Sequence, residues 1–423
     1  MNLFAKMRQV RDSSLVQNAF VLTVLQASGN LALLITLPYL TTTLGPHEWG
    51  RVAWMQVILG YFVILVDWGF SWHGTAHIAQ LRSDIGVRSR AFFSGWAVQW
   101  IVTAATIILF VILHNFADFY ARFRDFTIWN CLFVISSMLF PGWFPGGLER
   151  LREVALVQFA VRAGSVPLVF ILVRGTGDGP LVIASLAIAA CISGALGLLW
   201  IYRNVEIIWE MPTRAEFRKQ LIAGGSVLLS RLSMTLYTTI IPTILGVMIS
   251  ATAVGHYMIA DRIRSGIVSL LNPIAQALLP RMSYLYKDNK IDAFKLVVKS
   301  GFILLPMTAI MGVFIFIFSD LIIDLMGGKD FRESSLILKW FAFLPLISMI
   351  SNIVGIQILI PNGLSGTYNR ILFSTGIFGL VSAIFLIKYS GALGAAITMF
   401  ISEILIALFL SFYISRNRKA FFG

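Results

Sequence analysis

Apolar residues form long runs that follow one another along the whole chain, and polar residues concentrate in short intervals between them. An α-helix rises 1.5 Å per residue, so roughly 20 apolar residues cross the hydrocarbon core of a bilayer. The runs therefore predict an all-α polytopic membrane protein with about 12 transmembrane helices. The predicted spans are residues 15–42, 50–70, 91–113, 127–146, 155–173, 180–202, 221–249, 254–279, 297–318, 336–360, 368–388 and 391–414.

Proline and glycine positions recur at a spacing of about half the chain. The pairs are Pro38 and Pro242, Gly50 and Gly255, Pro145 and Pro361, and Gly179 and Gly391. Two repeats of six spans have the same orientation, and transporters built in this way bind substrate near the midplane between the halves. The repeat predicts an N-terminal six-helix lobe of residues 1–203, an inner linker of residues 204–220 and a C-terminal six-helix lobe of residues 221–423.

The charges are few and unevenly placed. The 423-residue chain is 58% hydrophobic and 13% charged, with a net charge of +13. The predicted inner segments carry 21 of the 33 Lys and Arg residues and the outer segments carry 7. This bias predicts that both termini are cytoplasmic. Because the basic residues lie in short loops and form no continuous face, we expect the lipid bilayer as a partner and no nucleic acid.

The stretch Gly255–Arg264 places three charged residues inside a predicted span. Charged side chains at bilayer depth are costly, so they usually face the interior of a helix bundle or a wet cavity. Asp261 and Arg264 are three residues apart and share one helical face with Tyr257. Arg262 and Arg264 are only two residues apart, so we expect one of them to face any given cavity.

Four arginines fall within predicted spans of the bundle: Arg162, Arg231, Arg262 and Arg264. The last three lie roughly 12–15 Å deep, counted from the nearer span end. Arginine stays charged, and its planar fork binds phosphate oxygens with two hydrogen bonds. These residues are therefore candidate ligands for a substrate diphosphate in a cationic cavity. The alternative is that each arginine pairs locally, as Arg264 would with Asp261, or extends to the membrane interface.

Three acidic residues are candidates for ion coupling or charge balance: Asp67, Asp261 and Glu403. A buried carboxylate can carry a coupling proton or hold Na⁺; for Asp67 the alternative is an interfacial residue that caps a span end. No cofactor is expected beyond a coupling ion, either H⁺ or Na⁺. His73 and His77 are spaced i, i+4, but no further ligand lies nearby in sequence, so a solvated face is favoured over a metal site.

No catalytic residues are predicted. The chain has no Walker A, G-x-S-x-G or H-E-x-x-H pattern, and no predicted loop exceeds about twenty residues. Five tryptophans fall near span ends, where the pattern is typical of an interfacial aromatic belt. They are Trp49, Trp68, Trp72, Trp143 and Trp200.

Short motifs run in a fixed order across nearly the whole chain. They include Leu37-Pro-Tyr-Leu40, Asp67-Trp-Gly-Phe70, Trp143-Phe-Pro-Gly-Gly-Leu-Glu149, Gly255-x-Tyr257-x-x-Ala260-Asp-Arg262, Gly355-x-Gln357 and Gly391-Ala-Leu-Gly394. In these motifs the chain resembles the polysaccharide-transport branch of the multidrug/oligosaccharidyl-lipid/polysaccharide exporter superfamily, and especially its Wzx-type O-antigen flippases. One departure is that Pro145-Gly-Gly-Leu-Glu149 replaces a Phe-Gln-Gly-Leu-Glu run that is frequent in the family. Any role of that glutamine is not carried over.

The resemblance implies a MATE-like fold in the bacterial inner membrane. It implies translocation of undecaprenyl-diphosphate-linked O-antigen repeat units from the cytoplasmic to the periplasmic leaflet by alternating access, coupled to an ion gradient. Other O-antigen assembly proteins are expected partners. Two alternatives remain open at this point: a cation-coupled multidrug exporter of the same fold, and a membrane-embedded enzyme of glycan assembly.

Overall fold

The structure is a computed structural model that describes residues 14–116 and 120–417. Within these ranges some helical residues are described by their backbone alone. They are residues 14–33, 114, 116, 120–122, 151–158, 160, 162, 229–230, 232–238, 270–277, 279–280, 283 and 287.

Helices account for nearly all of the described chain, and the described ranges contain no β-strand. The α-helices are α1 (Ser14–Asp67), α2 (His73–Gln80), α3 (Ile85–Phe116), α4 (Thr127–Leu139), α5 (Trp143–Gly147), α6 (Leu151–Leu172), α7 (Gly179–Asn204), α8 (Arg214–Met248), α9 (Ala251–Asp288), α10 (Lys290–Gly327), α11 (Ser334–Phe341), α12 (Leu344–Asn352) and α13 (Ser365–Arg416). Short 3-10 helices at Tyr120–Phe126 and Lys329–Phe331 and a π-helix at Ile353–Leu359 complete the helical elements of these ranges.

Seven helical segments among the described residues are long and apolar enough to cross a membrane. The prediction of an all-α polytopic membrane protein is thereby confirmed. The count of 12 crossings, their arrangement in two lobes and the side of each terminus stay predictions.

Two of the long helices are broken by a glycine. Gly45 interrupts α1 with φ 71° and ψ 173°, and Gly391 interrupts α13 with φ 54° and ψ −129°. Glycine populates positive φ without a side-chain clash, whereas other residues pay a steric cost there. The first break falls between the predicted spans 15–42 and 50–70, and the second falls at the first residue of the predicted span 391–414.

Large apolar side chains point away from the protein along α10. Phe302 is 80% exposed, Ile310 is 70% exposed and Ile317 is 63% exposed. In water such a surface would be unfavourable, but the acyl chains of a bilayer are as apolar as these side chains. The exposed face of α10 is therefore the kind of surface that lipid covers.

The chain divides into two compact units, and neither is continuous in sequence. The first comprises the chain up to Thr36 together with Met55–Thr235, and the second comprises Leu37–Trp54 and Leu236–Gly423. The predicted lobe boundaries at residues 203 and 221 stay a prediction, because repeat symmetry and compactness divide a chain by different criteria.

An aromatic core holds the first unit together. The ring centroids of Phe70 and Trp143 are 5.2 Å apart, and those of Phe92 and Phe144 are 4.5 Å apart. The indole Nε1 of Trp143 donates to Oε1 of Gln99 at 2.9 Å, which satisfies a buried donor. Two of the sequence motifs, which begin at Asp67 and Trp143, therefore meet in one core.

The prediction that Trp143 and Trp49 belong to an interfacial belt is wrong. Trp143 is 5% exposed and Trp49 is 0% exposed, so both are core residues. Trp72, in contrast, is 54% exposed. Position near a span end did not distinguish these cases, because a tryptophan there can turn toward protein or toward the headgroups.

In the second unit, two glycines form a close helix crossing. A Cβ on Gly50 would lie 1.8 Å from the carbonyl oxygen of Ala251, and a Cβ on Gly255 would lie 2.2 Å from that of Pro46. No side chain fits at either position, so the backbone of the segment Leu37–Trp54 touches that of α9. Gly50 and Gly255 are one of the repeat-related pairs in the sequence.

Candidate functional site

Arg231 and Asp67 form an ion pair in the first unit. The guanidinium Nη1 of Arg231 donates to Oδ2 of Asp67, and the two side chains are 26% and 17% exposed. The other carboxylate oxygen accepts the hydroxyl of Ser71 and its backbone N–H. The guanidinium also lies 5.8 Å from the ring centroid of Trp72. Asp67 thus both pairs with an arginine and caps the turn after α1.

A strained turn places Asp67 against α8. Trp68 has φ 47°, an unusual value for a non-glycine residue. Its indole Nε1 donates to the carbonyl oxygen of Leu221 at 2.8 Å, which fixes the ring on α8. A Cβ on Gly224 would lie 2.4 Å from the carbonyl oxygen of Trp68, so glycine permits the close approach. The motif Asp67-Trp-Gly-Phe70 therefore forms a turn that packs against α8.

A second charged cluster lies on α9 in the second unit. Nε and Nη2 of Arg264 donate to Oδ1 of Asp261 at 2.9 and 2.6 Å. The guanidinium lies 5.9 Å from the ring centroid of Phe341, and the ring of Tyr257 packs edge-on against the same phenylalanine at 5.4 Å. Tyr257 and Arg264 therefore share a helical face, as their spacing predicts.

Glu403 belongs to the same neighbourhood. It accepts a hydrogen bond from Ser348 at 3.2 Å and lies close enough to Arg264 to act on its charge. Arg262 is half-buried and interacts electrostatically with Asp261. The formal charges of Asp261, Arg262, Arg264 and Glu403 cancel, so this cluster is balanced rather than strongly cationic.

The structure thus brings Arg231 to Asp67, and Arg264 to Asp261 and Glu403. The local pairing of Arg264 with Asp261, left open by the sequence, is present. The Arg162 side chain lies outside the described residues. Whether these arginines bind a diphosphate stays a prediction.

His73 and His77 share Gln220 as a neighbour. Nε2 of His73 lies 3.0 Å from Oε1 of Gln220, and the amide nitrogen of Gln220 lies 3.1 Å from Nδ1 of His77. Burial lowers the pKa of His77, and the nearby charges of His73 and Lys219 lower it further. Among the described residues no group of three His, Cys, Asp or Glu side chains could hold a metal ion.

One polar feature was not predicted from the sequence: a buried glutamine in a π-helix. Gln357 is 0% exposed and lies in the π-helix Ile353–Leu359, where Ser300 hydrogen-bonds its Oε1 at 2.9 Å. Its amide nitrogen has no hydrogen-bond partner. Single π-helical turns are frequent at functional sites. The signal in the sequence was the motif Gly355-x-Gln357, which carried no assigned role.

Known proteins resemble this chain over most of its length. A protein of Escherichia coli (strain K12) named "Putative O-antigen transporter" is 26% identical over 408 residues, covering 96% of this chain and 98% of that protein. The structure of a multidrug resistance MATE family transporter in an inward-facing conformation matches with a TM-score of 0.71 at 15% identity, covering 93% of this chain and 96% of that one. The structure of the lipid II flippase MurJ in an inward closed conformation matches with a TM-score of 0.70 at 12% identity, covering 95% and 87%.

Long apolar helices, paired charges within them and this shared fold define a multi-pass membrane protein of the MATE and MurJ fold. The model of the family described as polysaccharide biosynthesis protein matches residues 15–286. The chain belongs to that family.

Proposed function

We propose that this protein moves undecaprenyl-diphosphate-linked O-antigen repeat units from the cytoplasmic to the periplasmic leaflet of the bacterial inner membrane. It works by alternating access of two six-helix lobes, with 12 crossings and both termini in the cytoplasm. The observation that carries the proposal is the near full-length similarity to the E. coli protein named "Putative O-antigen transporter". The chain acts as a transporter and catalyses no reaction of glycan assembly.

The ion pairs support a role in diphosphate binding. A carboxylate holds each paired guanidinium in place while the site is empty, and the oxygens of a phosphate group can replace that carboxylate as acceptors for the planar guanidinium. Arg264, held by Asp261, and Arg231, held by Asp67, are the proposed diphosphate ligands. Arg262 and Arg162 complete the proposed set.

When phosphate displaces a carboxylate, the acid becomes an unpaired charge in the membrane interior. Such a group stabilises itself by binding a proton or a cation. Asp67, Asp261 and Glu403 are therefore the proposed sites at which substrate binding and an ion gradient meet. In this scheme, binding of the substrate strengthens binding of the coupling ion, and binding of the ion strengthens binding of the substrate.

Complementation in a strain that lacks the chain tests the function. Wild-type protein should restore surface O-antigen, and Arg231→Ala or Arg262→Ala should reduce it at least tenfold at equal protein level, because a charge-assisted hydrogen bond is worth about 1.5–3 kcal/mol. Lipid-linked single repeat units should accumulate on the cytoplasmic face of the strain. Wild-type export by both alanine variants would remove these arginines from the mechanism.

The multidrug exporter is the second candidate, because the chain shares the MATE fold at a TM-score of 0.71. Such an exporter needs an acidic cavity for cationic drugs, whereas the formal charges of Asp261, Arg262, Arg264 and Glu403 cancel. Drug resistance measured in the same deletion strain separates the two functions. A fall in resistance with normal O-antigen would favour the exporter.

A further inference from the structure

A cavity of about 390 Å³ opens at the beginning of α9, and its lining combines apolar and polar side chains. Its lining includes Ser250, which caps the beginning of α9, and Thr252 in the first turn of that helix. Glu333, the residue before α11, and Ser390, the residue before the Gly391 break, also line it. His256, from the motif Gly255-His-Tyr257, also lines this cavity yet is only 7% exposed. The proposed diphosphate site uses none of these residues.

His256 lies between two polar groups of one segment. Its Nδ1 is 2.9 Å from the hydroxyl oxygen of Ser334, and its Nε2 is 3.8 Å from the carboxylate of Glu333. The ring packs edge-on against Phe331 at 5.5 Å. A protonated imidazole donates from both nitrogens, whereas a neutral ring donates from only one. The neutral ring can accept from the Ser334 hydroxyl and face Glu333 with its N–H, and protonation converts the contact with Glu333 into an ion pair.

Burial of the His256 ring opposes a bound proton, whereas the negative charge of Glu333 favours one. Among the described residues, Glu333 is the charged group that acts on the ring. The turn that carries Phe331 also carries Lys329 and Asp330, which are exposed. The linings at Ser250–Ala253 and Ser390–Leu393 contain no titratable side chain.

The segment Leu37–Trp54, whose backbone touches that of α9 at Gly50 and Gly255, carries further titratable groups. Glu48 and Arg51 there are paired at 3.0 Å. His47, on the same segment, is exposed, and its Nδ1 is 4.0 Å from Glu48. Neither Glu48 nor Arg51 contributes to the electrostatics of His256.

The ligand chemistry of this cavity selects a proton over a metal cation. Hard cations such as Na⁺ prefer oxygen ligands, whereas the buried group here, His256, offers ring nitrogens, which bind a proton far better than a hard cation. We propose that His256, held between Ser334 and Glu333, binds a proton from the outer solution and is a further site, beside the proposed coupling acids, through which transport responds to the H⁺ gradient. The assignment of this cavity to the outer side rests on the topology of the proposed function.

The position of His256 links the proton to a helix crossing. Gly255 precedes it, and the backbone of α9 at that residue touches Pro46. A proton on His256 ties the beginning of α9 to Ser334 and Glu333. Because α9 cannot shift there without separating from the segment Leu37–Trp54, the proton also acts on this helix crossing. Protonation stabilises the closed crossing, and release of the proton weakens it.

A pH titration of the histidine side chains tests the site directly. Protein with ¹⁵N-labelled histidine in lipid nanodiscs is followed by NMR between about pH 5 and 8, the usual range for imidazole. His256→Gln identifies the signal, and Glu333→Gln should move its midpoint to lower pH by roughly half a unit, since a partly exposed ion pair contributes up to about 1 kcal/mol. The matched control His47→Gln should leave it unchanged. The proposal would be overturned if the His256 signal did not titrate, or if Glu333→Gln left its midpoint unchanged.

Export in cells at different outer pH tests the coupling. We expect wild type and His47→Gln to lose several-fold of their O-antigen export between about pH 6 and 8, and His256→Gln to lose this dependence. The proton site would be refuted if His256→Gln kept the pH dependence of wild type, or if replacing Na⁺ by K⁺ changed export more than the change in pH does. In either case export by wild type would leave the proposed function intact. Absence of export by wild type would refute the proposed function, and the NMR result would still decide whether His256 binds the proton.

Discussion

At the scale of single residues, the chain keeps its membrane arginines next to acids. Arg231 pairs with Asp67 in one unit, and Arg264 pairs with Asp261 in the other. Removal of one partner of a buried pair costs more than the pair contributes, because it leaves an uncompensated charge. The sequence could predict which residues are charged within spans, but not their partners, since Asp67 and Arg231 are 164 residues apart.

Replacement of Arg264 by lysine tests whether the arginine fork matters. Arg264→Lys keeps the charge but loses the two-pronged geometry, so we expect binding of undecaprenyl diphosphate to weaken about tenfold. Native mass spectrometry of the purified protein with this lipid measures the change. Arg370→Lys, at an exposed position, is the control and should bind as wild type does. Equal binding by both variants would contradict a role for the fork.

A double-mutant cycle measures the pair in the first unit. Asp67→Asn and Arg231→Gln should each lower the thermal stability in detergent, and the double variant should recover a coupling of about 1 kcal/mol. This modest value reflects side chains that are 26% and 17% exposed. Additive effects of the two substitutions would show that the pair contributes nothing to folding.

At the scale of elements, the predicted spans overlie helices of the structure, because runs of apolar residues are a local signal. The tertiary partners were not predictable in the same way. The motifs that begin at Asp67 and Trp143 are far apart in sequence, yet Phe70 packs on Trp143. The π-helix Ile353–Leu359 was also missed, since a hydrophobic run does not encode an extra residue in one turn.

The crossing of α9 with the segment Leu37–Trp54 depends on glycine. Gly255→Ala should lower the yield of folded protein strongly, because the new Cβ would lie 2.2 Å from a backbone oxygen that cannot move aside. Gly60→Ala is the matched control: nothing lies within 4 Å of its Cβ, and alanine favours the helix by about 1 kcal/mol. Detergent-solubilised thermal stability compares the two variants. Normal stability of Gly255→Ala would contradict the close crossing.

The thermal stability of the protein should also fall on acidification, because His77 takes up a proton. Its folded pKa lies below the ordinary value of about 6.5, so the neutral ring stabilises the fold above that pH, and this contribution is lost as pH falls through the folded pKa. Protonation of Nδ1 removes the acceptor for the Gln220 amide. We expect His77→Asn to reduce the loss of Tm between about pH 7.5 and 5 by a few degrees relative to wild type. An identical loss in the variant would exclude this histidine, and the exposed His47→Gln serves as control.

At the scale of the whole molecule, the sequence repeat and the compact units divide the chain in different ways. The repeat pairs Pro38 with Pro242 and Gly50 with Gly255, which favours two halves of six spans. The compact units instead join Leu37–Trp54 with Leu236–Gly423. A hydrophobic pattern reports where helices begin and end, but it does not report which helices pack together. The fold class and the family were therefore within reach of the sequence, and the composition of each unit was not.

Transport of the lipid-linked glycan by the purified chain tests the account most directly. Proteoliposomes that contain undecaprenyl-diphosphate-linked repeat units and the wild-type protein are treated with a membrane-impermeant glycan-modifying enzyme, and the accessible fraction is followed over time. We expect the initially protected units to become accessible with wild type, and at least tenfold more slowly with Arg264→Ala, because a lost charge-assisted hydrogen bond costs about 1.5–3 kcal/mol. Units that stay protected with wild-type protein, or move equally fast in protein-free liposomes, would contradict the account.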